Sequence, residues 1–360
     1  MRTNFFLYLF IILTSAASHA DGLPPLPEPV TNNAVASVEV DGTTHIVSFM
    51  GLGKGKGFKD VHNKVWKLSV DADGKYSSWQ EMTPVPSSLK LRGRLASVAV
   101  GVDGLIYLFG GYTVAQDHSE VSAPDVFSYN LTTDSYDRLS PMPVPVDDSV
   151  ALVYRDRYIY LVSGWHNDGN VNLVQVYDIQ KNQWFQASPF LGKPVFGHAG
   201  GIVDNQMMIC DGVTTVAQMT SRRTFAAEAA CYLGEIDFTD PSKINWYQWV
   251  HPTDVSRYRM AAAGDISNDR ILFVGGSTNP YNYDGIGYNK QPSEPDFEIW
   301  SYYLDGRTWK TTTSSQATMD HRRLLKVGDK WVTVGGMGKN QKVLDAVTTH
   351  IIEASQTASQ

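Results

Sequence analysis

Arginine, histidine and acidic residues fall along this chain in short clusters: Arg92-Gly-Arg94, Asp147-Asp148, Phe196-Gly-His198, Arg222-Arg223, Arg257-Tyr-Arg259 and Asp320-His-Arg-Arg323. Aromatic and amide-rich runs lie between them, Trp165-His166-Asn167 and the stretch from Asn279 to Tyr288, which carries Tyr281 and Tyr283. A guanidinium offers carboxylate a planar fork of donors, and an aromatic face stacks on the apolar side of a sugar. Arg94, Trp165, His166, Arg257, Arg259, Tyr281, Tyr283, His321 and Arg322 are therefore candidate ligand-binding groups. Asp211, His198, Arg222 and Arg223 belong to the same polar set. The competing reading is structural: the arginines brace loops through Asp147, Asp148 and Asp320, and His198 is a hydrogen-bonded packing residue.

Those clusters are spaced by a repeat. Leu105 to Gly111 (LIYLFGG) is an apolar run closed by glycine, and versions of it end at Gly51, Gly164, Gly212, Gly276 and Gly336. The closing glycines lie roughly 50 to 60 residues apart, a period that excludes helical solenoids and fits a propeller. Around each copy the order is constant: a short apolar strand, the glycine-ended strand, a polar loop, another strand, then an aromatic ahead of prolines. A continuous apolar run suits a strand buried on both faces, and glycine ends it where the backbone turns or approaches closely.

This pattern, with its double glycine, Tyr-containing strand and Trp before the next unit, resembles the Kelch repeat. The resemblance implies an all-β fold, a six-bladed Kelch β-propeller with blades near 33–86, 93–145, 147–190, 196–250, 257–312 and 320–353. The last copy lacks its aromatic-proline strand, while Leu23-Pro-Pro-Leu-Pro-Glu-Pro-Val30 repeats the spacing of Leu139-Ser-Pro-Met-Pro-Val-Pro-Val146. The N-terminal strand is thus expected to complete blade six and close the ring. In such a blade the loop between strands two and three opens on the same face as the connection to the next blade, so all the clusters above converge on one mouth. Trp184 and Trp309 are expected to pack between blades.

Net charge is −7, which argues against a general nucleic-acid binder. Arg2, the apolar run Phe5 to Leu13 and the small residues ending at Ala20 read as a cleaved signal peptide, too short for the about 18 residues of a membrane span. The expectation is an exported protein, periplasmic or extracellular, with 21–353 folded and 354–360 a disordered tail. Export permits a disulfide between Cys210 and Cys231, the alternative being two buried thiols. Phe225 to Ala230 has helix-friendly composition, and a helical turn is expected there. The glycine-rich loop from Gly51 to Gly57 lacks the Lys-Ser or Lys-Thr end of a phosphate-binding loop and reads as a hairpin loop.

Among exported Kelch propellers, the sialic acid mutarotases are similar in two local features. That family has an acid just after the fourth blade's core strand with an arginine following, matched here by Asp211 and Arg222 or Arg223, and a long Asn/Tyr-rich fifth-blade loop, matched by Asn279 to Tyr288. The acid is Asp rather than Glu, and the gap to the arginine is longer. The resemblance implies interconversion of sugar anomers by general acid and base, on a small acidic sugar or glycan and with no cofactor, with Asp211 or His198 as catalytic proton-transfer groups and Arg222, Arg223 and Arg259 holding the carboxylate. An Asp beside arginines has a lowered pKa and is a weak base at neutral pH, which makes His198 the fallback. Galactose oxidase is a more distant Kelch relative. A copper-radical site of that kind draws on His166, His198 and His321 with Tyr281 or Tyr283, but needs a Tyr–Cys thioether that a Cys210–Cys231 bridge preempts. The third class is a non-catalytic propeller that grips a glycan or a protein partner at the same loop face.

Overall fold

The computed structural model describes residues 22–220 and 223–353, so the expected leader, Arg222 and the expected C-terminal tail lie outside the described residues. The described chain is an all-β ring of six blades with only single-turn 3-10 segments between strands. Each blade is an antiparallel meander. Blade one runs Ala34–Val40, Thr43–Leu52, Val61–Val70 and Gln80–Met82. Blade two pairs Val98–Val102, Leu105–Phe109, Val126–Asn130 and Ser135–Arg138 in the same order. Blades three, four and five repeat the scheme, starting at Val150–Tyr154, Ala199–Val203 and Ala261–Asp265. The sheet of blade six has three strands, Leu325–Val327, Lys330–Val334 and Val347–His350.

Burial follows position in the blade. The second strand is covered on both faces, as in Leu105–Phe109, where Ile106 to Phe109 are all buried, whereas the outermost strand Ser135–Arg138 is largely exposed. Apolar side chains of neighbouring blades interleave: Val38, Phe49 and Val65 of blade one pack with Ile106, Leu108 and Tyr129 of blade two.

The aromatic ahead of the prolines has one job at five joints. Trp184 Nε1 donates to Ser140 O at 2.9 Å, Trp309 to Val250 O at 2.8 Å, Trp79 to Pro24 O at 2.9 Å and Trp246 to Ser188 O at 3.5 Å, while Tyr136 Oη donates to Thr83 O at 2.9 Å. Each ring therefore ties an outer strand to the segment that leaves the preceding blade, satisfying a carbonyl that no ladder reaches.

Blade six is finished by the other end of the chain. Leu26 N donates to Asp345 O at 2.7 Å, as Met142 N donates to Pro124 O at 3.0 Å in blade two, and Val30 N donates to Leu344 O at 3.0 Å. Leu26 and Val30 are buried against Val332 and Val334. The N-terminal segment closes the ring in the register its prolines foretell, through isolated backbone bonds rather than a continuous ladder.

The helical turn expected at Phe225 to Ala230 is absent. Thr224–Ala227 is a strand paired with Val213–Val216. Pairing with a neighbouring segment outweighs the few tenths of a kcal/mol per residue that helix propensity offers. The Cys210–Cys231 disulfide is formed, between residues directly opposite each other in the ladder of Gln206–Cys210 and Cys231–Ile236. It clamps the base of that hairpin. No helix of the described residues is long and apolar enough to cross a membrane.

Candidate functional site

Six equivalent backbone bridges assemble one face of the ring. Thr31, Leu95, Asp147, Phe196, Tyr258 and Met319, each just before an inner strand, bridge to Leu52, Tyr112, Trp165, Val213, Ser277 and Met337, each just after a closing glycine. The loop after every second strand is thereby tied to the connection between blades, and both open on the same side.

The next residue in each connection, Asn32, Ala96, Asp148, Gly197, Arg259 and Asp320, has positive φ in all six blades. Five of the six are not glycine, a conformation that surrounding structure must hold in place. Their backbones form a chain around the axis: Ala96 N donates to Asn32 O, Asp148 N to Ala96 O, Gly197 N to Asp148 O, Arg259 N to Gly197 O and His321 N to Arg259 O, at 2.8–3.2 Å. Asn32 N closes the circle onto Asp320 Oδ2 at 3.0 Å. This hub floors the mouth.

The hub's side chains are a buried ionic net. Arg259 Nε donates to Asp148 Oδ2 at 3.0 Å and Nη1 to Asp320 Oδ1 at 3.0 Å. Arg322 Nη2 donates to Asp148 Oδ1 at 2.7 Å and to Asn32 Oδ1 at 2.9 Å. The Thr31 hydroxyl donates to Asp320. Two arginines thus meet two aspartates. Burial opposes ionisation of Asp148, but Arg259 and Arg322 hold its carboxyl below the ordinary range. Burial likewise opposes the Arg259 charge, which Asp148, Tyr258 and Asp320 more than restore.

Above the hub lies a cavity of about 260 Å³, near the lower bound of small-molecule sites. Its walls include Tyr112, Trp165, Phe196, Phe225 and Tyr288, with Asp148 and Arg259 at the floor and Glu120, Asp147 and Arg223 at the sides. The aromatic wall is continuous: Trp165 meets Phe196 edge-on at 5.3 Å, and Phe225 overlaps Tyr288 at 4.3 Å between ring centroids. The Arg223 guanidinium stands over Trp165 at 4.7 Å and donates to Asp168 O at 3.0 Å. At the rim, His118 Nδ1 and Tyr283 Oη are 3.2 Å apart, joining the second-blade and fifth-blade loops.

Three carboxyls face this space with their pKa values pushed in different directions. Burial, with Asp148 and Glu120 nearby, pushes Asp147 well up, although Ser122 Oγ donates to it at 2.6 Å. Glu120 touches solvent, yet burial among the surrounding loops pushes it up to about 6, against the pull of Arg259 and Arg223. Asp148 stays ionised. Neighbouring acids whose environments drive them apart in this way are the arrangement that supports general acid and base roles.

Of the residues named from sequence, Trp165, Arg223, Arg259 and Tyr283 line the cavity, and Tyr281 lies behind it under the Arg259 guanidinium at 5.3 Å. Arg322 is in the hub. Arg94, Arg257, His166 and His198 have structural partners, whereas His321 is buried with its Nε2 unpartnered. Arg94 is buried against Asp125 at 3.0 Å, and Arg257 pairs with Asp296 at 3.2 Å and Glu298 at 2.9 Å. His166 meets Pro145 O at 2.6 Å and His198 Nε2 meets Val162 O at 2.9 Å. Burial lowers His198 to about 4 and His321 to about 3, so both rings stay neutral.

Asp211 stands outside the cavity as well. The two residues closing each second strand, Met50-Gly51, Gly110-Gly111, Ser163-Gly164, Asp211-Gly212, Gly275-Gly276 and Gly335-Gly336, all have positive φ. Asp211 takes the place of the first glycine, and a side chain there points at the start of the next blade. Ser163 Oγ accepts from Val195 N at 2.9 Å, Met50 Sδ accepts from Arg94 Nε at 3.4 Å, and Asp211 accepts from Arg257 N at 2.7 Å and from His251 Nε2 at 2.8 Å. Backbone donors from Thr253 and Asp254 occupy His251 Nδ1, which fixes the proton on Nε2. Asp211 is a latch between blades four and five.

Glu120, Asp147, Tyr112 and Tyr288 are among the lining residues that sequence reasoning does not single out as binding or catalytic. Their signal is positional, since the loop after Gly111 is equivalent to those after Gly164 and Gly212. For copper chemistry, both cysteines are in the disulfide, so neither can form a thioether, and no cluster of three metal-ligating side chains occurs among the described residues.

The profile of the KLHDC2/KLHL20/DRC7 Kelch-repeats domain matches residues 34–276, more than half of the chain. The chain belongs to the Kelch-repeat family. Kelch-like protein 15 of Gallus gallus is 28% identical over 116 residues, 32% of this chain and 23% of the relative, so the chain spans under a quarter of that protein's length. An N-acetylneuraminate epimerase of Pasteurella multocida (strain Pm70) is 23% identical over 394 residues, covering 95% of each chain. A solved structure described as "Structure of YjhT" superposes with a TM-score of 0.68 at 17% identity, covering 91% of this chain and 96% of the other. That last likeness is one of fold.

Proposed function

We propose that this Kelch propeller binds a small acidic sugar of the N-acetylneuraminate class in the loop-face cavity and interconverts its anomers. The observation that carries the reading is the presence, in one aromatic-walled cavity, of two arginines and of carboxyls whose pKa values are pushed in opposite directions. The end-to-end match to an N-acetylneuraminate epimerase supports the same ligand class.

Anomer exchange needs one group to take the anomeric hydroxyl proton and another to protonate the ring oxygen, and the reverse on closure. Glu120, near 6, is ionised at neutral pH and basic enough to accept a proton. Asp147, whose carboxyl burial pushes well up, is the matching donor. Arg223 and Arg259 face the sugar carboxylate, and the ring's apolar side lies on Trp165 or Tyr288. The proton-transfer roles therefore move from Asp211 and His198 to the cavity acids. A leader at residues 1–20 and the Cys210–Cys231 bridge together support export.

Proton NMR of freshly dissolved N-acetylneuraminate, followed to anomeric equilibrium, tests this. Wild-type protein accelerates equilibration over buffer, and Glu120→Gln slows it by about 10²-fold or more. Asp211→Asn keeps the rate. Ligand line-broadening with no acceleration would leave a glycan-binding propeller, and no effect on the sugar at all would turn attention to a protein partner at the same face.

A further inference from the structure

A second cavity, of about 400 Å³, occupies the propeller axis on the side of the hub away from the loops. Its walls are the innermost strands, and small residues keep it open, among them Ser37, Gly101, Ala151, Gly201 and Ala263. At its outer end Lys326 and Arg270 share Asp265, at 3.4 Å and 2.9 Å, and Asp156 lies in an exposed hairpin turn. Those charges have partners or water.

Arg323 at the inner end has no hydrogen bond or ion pair among the described residues. It is half-buried, and the surface it keeps opens into this channel and into a void of about 10 Å³ on its hub side. Among the described residues no carboxylate pairs with it. Burial alone acts on the guanidinium, lowering it to about 10, so it remains protonated at neutral pH. A lone buried charge is strongly unfavourable unless something meets it.

Arg322 lines the same void from the other side. Its side chain is only 6% exposed, and its Nε and Nη1 have no hydrogen-bond partner, since Nη2 alone reaches Asn32 and Asp148. Two arginines thus line a space the size of one small sphere, and one of them holds buried donors without a partner. The hub's other charges cancel, Arg259 and Arg322 against Asp148 and Asp320, leaving one net positive charge at Arg323.

We infer that Arg322 and Arg323 form a binding site for a halide-sized monovalent anion at the inner end of the axial channel, entered from the face opposite the loops. The void is too small for a carboxylate or phosphate to reach Arg322, and the single uncompensated charge calls for a single negative one. The ligand is chloride or an ion of its size.

Crystals of the mature protein grown in sodium bromide, with data at the bromine edge, test the position directly. An anomalous peak between the two guanidinium groups is expected, and its absence overturns the assignment. Thermal unfolding at constant ionic strength tests the energetics: replacing gluconate by chloride raises Tm saturably by about 2–4 °C in wild type. Arg323→Met abolishes that rise. An equal chloride response in both proteins refutes the site, and if the variant does not fold, the bromide map decides.

Discussion

At the scale of single residues, the acids of this propeller divide by what their neighbours do to their protons. Glu120 and Asp211 both sit near 6, but one borders the open cavity and the other is sealed between blades. If Glu120 is the base, the anomer-exchange rate rises with pH through about 6 and then levels, a profile that Glu120→Gln removes. Asp211 instead leaves its mark on stability. Burial raises it from 3.8 to about 6, so between those values the folded chain holds a proton that the unfolded chain has released, and rising pH weakens folding by that group. Urea unfolding of Asp211→Asn should lack this component between pH 4 and 6, and the variant should be less stable by about 1–3 kcal/mol, because an amide cannot accept from both His251 and Arg257 N. Asp211 shows how far sequence carries: its place in the repeat was plain, but four other copies have glycine or serine there and only the fold reveals that the slot faces the next blade. Glu120 was legible by analogy of loops, whereas its raised pKa arises from segments distant in sequence.

At the scale of the strand and its closing turn, two consecutive left-handed residues let the chain leave each second strand and cross close to the preceding connection. Gly111 is the tightest instance. A Cβ there would lie 2.0 Å from Ser97 Oγ and 2.8 Å from Leu95 O, in a conformation that side chains disfavour. Gly111→Ala is expected to cost about 2–4 kcal/mol, read as a lower urea midpoint with unchanged m-value. The apolar runs and these glycines were visible as a period in the sequence because each blade repeats the same local problem. The hairpin Val213–Val216 with Thr224–Ala227 was not, since alanine-rich composition describes a segment in isolation and the partner strand decides otherwise. The left-handed hub was hidden for a related reason: Asn, Ala, Asp, Gly, Arg and Asp share no chemistry, only a place around the axis.

At the scale of the whole ring, closure depends on residues at opposite ends of the chain. Leu26 is 3% exposed and packs with Val332 and Val334. Leu26→Ala should lower stability by about 2–5 kcal/mol, out of proportion for a residue outside any strand, because it loosens the joint between blades six and one. Calorimetry checks this, and a loss of under 0.5 kcal/mol would mean that the closure contributes little. The disulfide at the base of the fourth-blade hairpin acts more locally, constraining a 21-residue span by about 3 kcal/mol. The N-terminal closure also sets a timetable. A ribosome makes residues 23–30 more than 300 residues before the backbone groups they bond to, at Leu344 and Asp345. Whatever blades form early, the circle stays unsealed until that later stretch exists, and the earlier one waits for its seat.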